Sequence, residues 1–245
     1  MGPDKFQNIT TILFDLDNTL INSKAAERIA SDHVFNYLVM DGVRPPNARA
    51  SVDKFLSSVR DEAPQGEAWR LLQWRHALGP AHATRAAASD ALWRAAHTRA
   101  LRPCTGVDDL LLALRHRFKV GLIVPRDAEE PRWGGSFDVV VGGGTSVGWA
   151  WLLEEACRRL DSAPLECALV TGGREEVVRM ARRAGLGAVV RVEDGGAVED
   201  ADAVVRDVRD IPEVLPEGRG FTSRCQQRRL GFFHSLREEG WMNFG

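Results

Sequence analysis

Two aspartates two residues apart, Asp15 and Asp17, are the side chains in this sequence best placed for chemistry. They follow the apolar run 11–14 and precede Asn18 and Thr19. A carboxylate at a strand end can act as a nucleophile, and a second one nearby can protonate a leaving group and then activate water. The turn after them exposes backbone N–H groups to a phosphate. We therefore predict Asp15 and Asp17 as catalytic residues, with Asn18 and Thr19 in substrate binding.

The elements that must position this pair are predicted to form an α/β fold with a parallel sheet. Short apolar runs, typical of strands buried on both faces, occur at residues 11–14, 120–124, 138–141, 167–170 and 188–192. Helical periodicity lies between them, for example at Val107, Leu110, Leu111 and Leu114. Strands that alternate with helices favour a parallel sheet, whose ligand site lies at the carboxyl ends of the strands.

Residues 22–100 interrupt this alternation with helical patterns and no convincing strand. We predict an all-helical cap there, and core domain segments at residues 1–21 and 101–216. Residues 217–245 are rich in Gly, Arg and aromatic residues. They are predicted to form a loosely ordered tail, with docking on a partner as the alternative.

The composition disfavours binding to nucleic acid or insertion into a membrane. The chain has 245 residues and a formal net charge of -2, with acidic and basic residues spread along it, which disfavours nucleic-acid binding. Neither a signal peptide nor a run of roughly 18 apolar residues for a membrane span is expected. The four cysteines form no Cys-x-x-Cys pair, which favours reduced thiols in a cytoplasmic protein. Composition leaves open whether the chain has a protein partner.

Residues 14–20, Phe-Asp-Leu-Asp-Asn-Thr-Leu, resemble the first motif of the haloacid dehalogenase (HAD) superfamily. The resemblance extends toward the N-acylneuraminate-9-phosphatase branch at residues 92–94, 107–115, 137–143 and 184–188, and covers about residues 8–215 in order. It implies a Rossmann-like core with a helical cap. It also implies hydrolysis of sugar phosphates through an aspartyl-phosphate on Asp15, with Mg²⁺ at Asp15 and Asp17.

The other three motifs of that family are degenerate in this chain. Val124 stands where a Thr or Ser hydroxyl binds the phosphoryl group, and Pro125 lacks a backbone N–H. Residues 144–149 contain no Lys or Arg where the family has a phosphate-neutralising Lys. Aligned without a gap, Gly172 stands for a metal-binding Asp and Val177 for the second acid.

These losses predict a protein with little or no turnover. Removing one preorganised donor costs roughly a hundredfold to a thousandfold in rate, or about 3–4 kcal/mol. Without a metal, a phosphate dianion faces Asp15 and Asp17 with a repulsion of about 4 kcal/mol per charge pair at 4 Å and an effective dielectric of 20. We predict a pseudophosphatase with a binding or regulatory role toward a phosphorylated small molecule such as a sugar phosphate.

The alternative is an active Mg²⁺-dependent sugar-phosphate phosphatase with relocated ligands. Glu175 or Glu176 would then replace the lost acid, and Arg126 or Arg174 would replace the Lys as a phosphate clamp. Of these, Arg126 is the predicted substrate-binding residue. Acids also favour the first turn of a helix for electrostatic reasons alone. Mg²⁺ is therefore expected only if the protein is active, and its binding is expected to be weak.

Overall fold

The computed structural model describes residues 3–61, 66–124, 134–143, 147–173, 175–193 and 200–215. Arg126, Arg174 and the predicted tail at residues 217–245 lie outside this part of the chain. The predictions made for them stay predictions. None of the helices that the structure describes is both long and apolar enough to cross a membrane.

Six strands form one parallel sheet, which confirms the predicted fold class. They are β1 (Thr11–Asp15), β2 (Lys119–Val124), β3 (Val139–Gly142), β4 (Cys167–Thr171), β5 (Ala188–Val192) and β6 (Ala203–Val205). Their order is β3-β2-β1-β4-β5-β6, so β1 lies at the centre between β2 and β4. The five predicted strands are present. The sixth was missed because a three-residue edge strand with one neighbour carries too short an apolar pattern.

Four helices follow β1 and form a hydrophobic core of their own. They are α1 (Ser23–Met40), α2 (Pro45–Asp61), α3 (Glu67–Leu78) and α4 (Ala86–Ala100), and no strand occurs among the described residues of this interval. Phe55 and Trp74 stack with their ring centroids 3.8 Å apart, and Trp93 meets Phe55 edge-on at 5.6 Å. These buried rings belong to a cluster separate from the two that cover the sheet. The predicted all-helical insertion is present.

The insertion leaves and re-enters the sheet domain at neighbouring points. The backbone N–H of Asn22 donates to the carbonyl of Arg102 at 3.2 Å, and Ile21 forms an antiparallel bridge with Pro103. The chain therefore returns beside the segment that follows β1 before it enters the next helix of the core.

Helices cover both faces of the sheet. One face packs against α5 (Val107–Arg115) and the short α8 (Ile211–Val214), and the other against α6 (Trp149–Arg159) and α7 (Glu175–Arg183). Side chains alternate between the faces of a strand, so Leu13 packs on the α6 and α7 side while Phe14 packs on the α5 side. Asp15 follows the same alternation and faces the α6 and α7 side at the carboxyl end of the central strand.

Candidate functional site

Asp15 ends the central strand and is buried, with 2% of its surface exposed. Thr171, which ends β4, lies one residue beyond the Phe14–Val170 pair and donates its hydroxyl to Asp15 Oδ2 at 2.9 Å. The other carboxyl oxygen, Oδ1, is buried and has no hydrogen-bond partner among the described residues. Asp15, the predicted nucleophile, therefore lies at the carboxyl end of the central strand, with one of its two carboxyl oxygens hydrogen-bonded to a neighbouring strand.

Burial raises the pKa of Asp15 to about 7. The hydroxyl of Thr171 acts against burial and lowers this pKa, the charge of Asp17 raises it, and the backbone N–H groups of Leu16 and Asp17 lower it. Among the described residues, no cation contributes to lowering it. At about pH 7, roughly half of the Asp15 carboxyl groups are therefore protonated, and the protonated form cannot act as a nucleophile.

The side chains of Asp17 and Asn18 accept hydrogen bonds from the first residues of α1. Ser23 Oγ donates to Asp17 Oδ1 at 2.6 Å, and the backbone N–H of Lys24 donates to Asn18 Oδ1 at 2.8 Å. Asn18 has a φ of 55°, a left-handed conformation that asparagine tolerates better than most residues. These side chains thus link the turn after β1 to α1, and the role of Ser23 was not predicted.

Thr19 is fully buried and contacts the end of β4. Its hydroxyl accepts a hydrogen bond from the backbone N–H of Gly172 at 2.6 Å and donates to the carbonyl of Asp17 at 3.4 Å. Thr19 was predicted in substrate binding, and the structure shows its hydroxyl making internal hydrogen bonds.

Gly172 and Gly173 allow the backbone after β4 to approach the turn after β1. A Cβ atom on Gly172 would lie 1.9 Å from the carbonyl oxygen of Asn18, far inside any normal contact. A Cβ on Gly173 would lie 2.8 Å from Thr171 Oγ1 and 3.1 Å from Asp15 Oδ2. The backbone N–H of Gly173 also donates to Thr171 Oγ1 at 2.9 Å. The space beside Gly172 is therefore closed by backbone atoms, whereas at Gly173 the neighbouring atoms belong to side chains.

Beyond the pair Asp15 and Asp17, the described residues bring no further carboxylate to a magnesium site. Mg²⁺ prefers six oxygen ligands in near-octahedral geometry. In the described ranges, no group of three or more His, Cys, Asp or Glu side chains is placed to hold a metal ion. Glu175 and Glu176 are both exposed in the first turn of α7. Val177, which the resemblance predicts to stand for the second acid, is buried in the apolar core.

A buried cation, Arg191, occurs on β5 in the same row of the sheet as Thr171. Its guanidinium pairs with Glu193 at 3.0 Å, while its Nε and Nη1 atoms have no hydrogen-bond partner among the described residues. Two strand spacings, about 10 Å, separate the backbones of Arg191 and Asp15. Arg191 is not among the groups that shift the pKa of Asp15.

Besides that of Ser23, the contacts of Thr171, Gly172 and Arg191 were not predicted from the sequence. Thr171 and Arg191 are polar residues within otherwise apolar strands, which is a weak signal. The close approach of Gly172 to Asn18 left no local signal, because the two residues are far apart in the chain.

No protein-family model matches this sequence, and no curated protein matches it. Solved structures do. A HAD-superfamily hydrolase, subfamily IA, from Geobacter sulfurreducens matches with a TM-score of 0.59 at 17% identity, covering 85% of this chain and 97% of that chain. A HAD phosphatase from Thermococcus onnurineus matches with a TM-score of 0.56 at 17% identity, covering 86% and 100%.

A 2-haloacid dehalogenase from Pseudomonas syringae matches with a TM-score of 0.57 at 20% identity, covering 84% of this chain and 97% of that chain. The solved neighbours consistently show one fold. This chain therefore has the fold of the HAD-like hydrolase superfamily, and identities this low establish the fold without the activity.

Proposed function

We propose that this protein is a HAD-fold relative of N-acylneuraminate-9-phosphatase that binds a phosphorylated small molecule, such as a sugar phosphate, without ordinary turnover. A binding or regulatory role would then replace catalysis. The observation that supports this most directly is the hydrogen bond that the Thr171 hydroxyl donates to Asp15. The residues described also contain no metal-ligand cluster of three or more side chains.

Uncompensated negative charge explains why phosphoryl transfer to Asp15 would be slow. A phosphoryl group brings negative charge to Asp15 and Asp17, and the family offsets that charge with a metal ion and a Lys. Here a neutral hydroxyl contacts Asp15, and Val124 offers no side-chain donor at the end of β2. Each lost contact is worth about 3–4 kcal/mol of transition-state stabilisation, although such losses do not simply add.

We also propose a cytoplasmic location. Cys104, Cys157 and Cys167 are all free thiols in the structure, and Cys157 and Cys167 are buried. Free thiols are typical of a reducing compartment.

The test is an assay of the purified full chain with Mg²⁺ against a panel of sugar phosphates that includes an N-acylneuraminate 9-phosphate. A 2-haloacid belongs in the panel because one structurally similar protein is named as a dehalogenase. We expect wild type and Asp15→Asn to release phosphate or halide at the same background rate. Turnover at an ordinary enzyme rate that Asp15→Asn abolishes would refute the proposal.

One observation favours the active alternative. The buried Asp15 Oδ1 has no hydrogen-bond partner in the described part of the chain. A buried polar atom without a partner is what a carboxylate shows when the ligand that it binds is absent. An active phosphatase with relocated ligands requires Glu175 or Glu176 at the metal. In that case Glu175→Gln or Glu176→Gln would raise the Mg²⁺ concentration needed for half-maximal activity, whereas the exposed Glu154→Gln on α6 would not.

A further inference from the structure

Hydrogen bonds tie the end of β4 to the turn after β1. The hydroxyl of Thr171 donates to Asp15 Oδ2 at 2.9 Å and accepts from the backbone N–H of Gly173 at 2.9 Å. The hydroxyl of Thr19 accepts from the backbone N–H of Gly172 at 2.6 Å. We call these three hydrogen bonds the β1–β4 latch. Two of them join chain segments more than 150 residues apart, and the third, from Gly173 to Thr171, lies within the segment at the end of β4. Asp15, Thr19 and Thr171 are all buried.

The backbone itself fills the space in which a metal ligand at position 172 would have to lie. A Cβ on Gly172 would be 1.9 Å from the carbonyl oxygen of Asn18 and 2.6 Å from its carbonyl carbon. Backbone atoms cannot rotate away as a side-chain tip can. Gly172 is not among the glycines with positive φ, so lack of space rather than backbone conformation excludes a side chain.

We infer that the β1–β4 latch has replaced the divalent metal site, so that restoring an aspartate at position 172 does not restore metal binding. This goes beyond the loss of turnover proposed above, because it concerns the space available rather than which ligands are missing. Thr171 acts in it as a positioning residue: its hydroxyl occupies Asp15 Oδ2 and orients the backbone of Gly173.

The experiment measures the thermal unfolding of the full chain in MgCl₂ and in NaCl of matched ionic strength, since salt alone shifts stability. A ligand that binds only the folded state raises Tm as its concentration rises. We expect the Tm of wild type to be the same in both salts. A rise specific to Mg²⁺ in wild type overturns the inference.

Substitutions at Gly172 test the closed space. We expect Gly172→Ala and Gly172→Asp to lower Tm or to prevent folding, since both add a Cβ atom beside Asn18, and neither to gain a Mg²⁺-dependent rise. The inference is overturned if Gly172→Ala unfolds at the wild-type Tm, or if Gly172→Asp is stabilised by Mg²⁺.

Substitutions at Thr171 keep the test decisive if the Gly172 variants do not fold. Thr171→Val removes the hydroxyl at nearly constant volume, and Thr171→Ser retains it. We expect Thr171→Val to unfold several degrees below wild type and Thr171→Ser to stay close to it. Equal Tm values for the two variants contradict the latch.

The two proposals can fail separately. Turnover without a Mg²⁺-specific rise in Tm would contradict the proposed function alone, and a Mg²⁺-specific rise in Tm without turnover would contradict the latch alone.

Discussion

Asp15 is a buried carboxyl group, and its burial disfavours the ionised form. Burial raises its pKa from 3.8 to about 7, and the adjacent Asp17 raises it as well. Thr171 donates one hydrogen bond to the carboxyl group, and the other oxygen lacks a partner among the described residues. Ionising this group is therefore less favourable in the folded protein than in the unfolded chain.

The raised pKa of Asp15 predicts how stability depends on pH. The folded state holds the Asp15 proton up to about pH 7, whereas the unfolded state releases it near pH 3.8, so the free energy of unfolding falls as pH rises between these values. At 1.36 kcal/mol per pKa unit, the loss by neutral pH is roughly 4 kcal/mol.

Asp15→Asn removes the ionisable group and therefore should remove this part of the pH dependence. We expect the variant to be more stable than wild type at about pH 8 and closer to it at about pH 5. Urea denaturation at both pH values measures the two differences. Parallel pH profiles for wild type and variant would show that Asp15 does not titrate in this range.

At the scale of elements, the cap is held together by aromatic contacts between its helices. Phe55 of α2 stacks on Trp74 of α3, and both are fully buried. Trp93 of α4 meets Phe55 at its edge, which joins three of the four helices through one ring. Cap stability should therefore depend strongly on these side chains.

Trp74→Ala tests this dependence. Truncating a buried aromatic residue costs about 3–5 kcal/mol, through lost burial and the cavity that remains. Trp74→Phe keeps a ring in the stack and should cost clearly less, while Leu72→Ala on the same helix removes a side chain that is 60% exposed and should cost little. Chemical denaturation ranks the three, and equal losses for Trp74→Ala and Leu72→Ala would rule out the stack as a main support.

The whole molecule has a core domain at residues 1–21 and 101–216 and a cap at 22–100 in our prediction. The cap has its own hydrophobic cluster, while the sheet has two others on its two faces. Since Asn22 and Arg102 are hydrogen-bonded backbone neighbours, removing the insertion leaves two ends that a short linker can join.

Replacing residues 23–100 with a short Gly/Ser linker should therefore leave a core that unfolds cooperatively. Circular dichroism should show mixed helix and strand, with a smaller helical share than the full chain has. A non-cooperative melt would mean that the core needs the cap to fold, which would contradict the predicted boundaries.

The sequence by itself determined the alternation of strands and helices, the helical insertion and the position of Asp15 at a strand end. Each is a local property, because apolar periodicity and the Asp-Leu-Asp-Asn-Thr-Leu string are legible within a few residues. Buried strands with uninterrupted apolar runs were found to within one residue at each end, whereas β6, a three-residue edge strand, was not found.

Only the tertiary structure decided what Asp15 contacts. Thr171 and Gly172 reach the turn after β1 because β4 pairs with β1, and this register joins residues 156 positions apart. The 1.9 Å approach at Gly172 and the burial that raises the Asp15 pKa also arise from packing between distant segments. Hydrogen bonding and desolvation at the site depend on distances through space, which a pattern read along the chain does not contain.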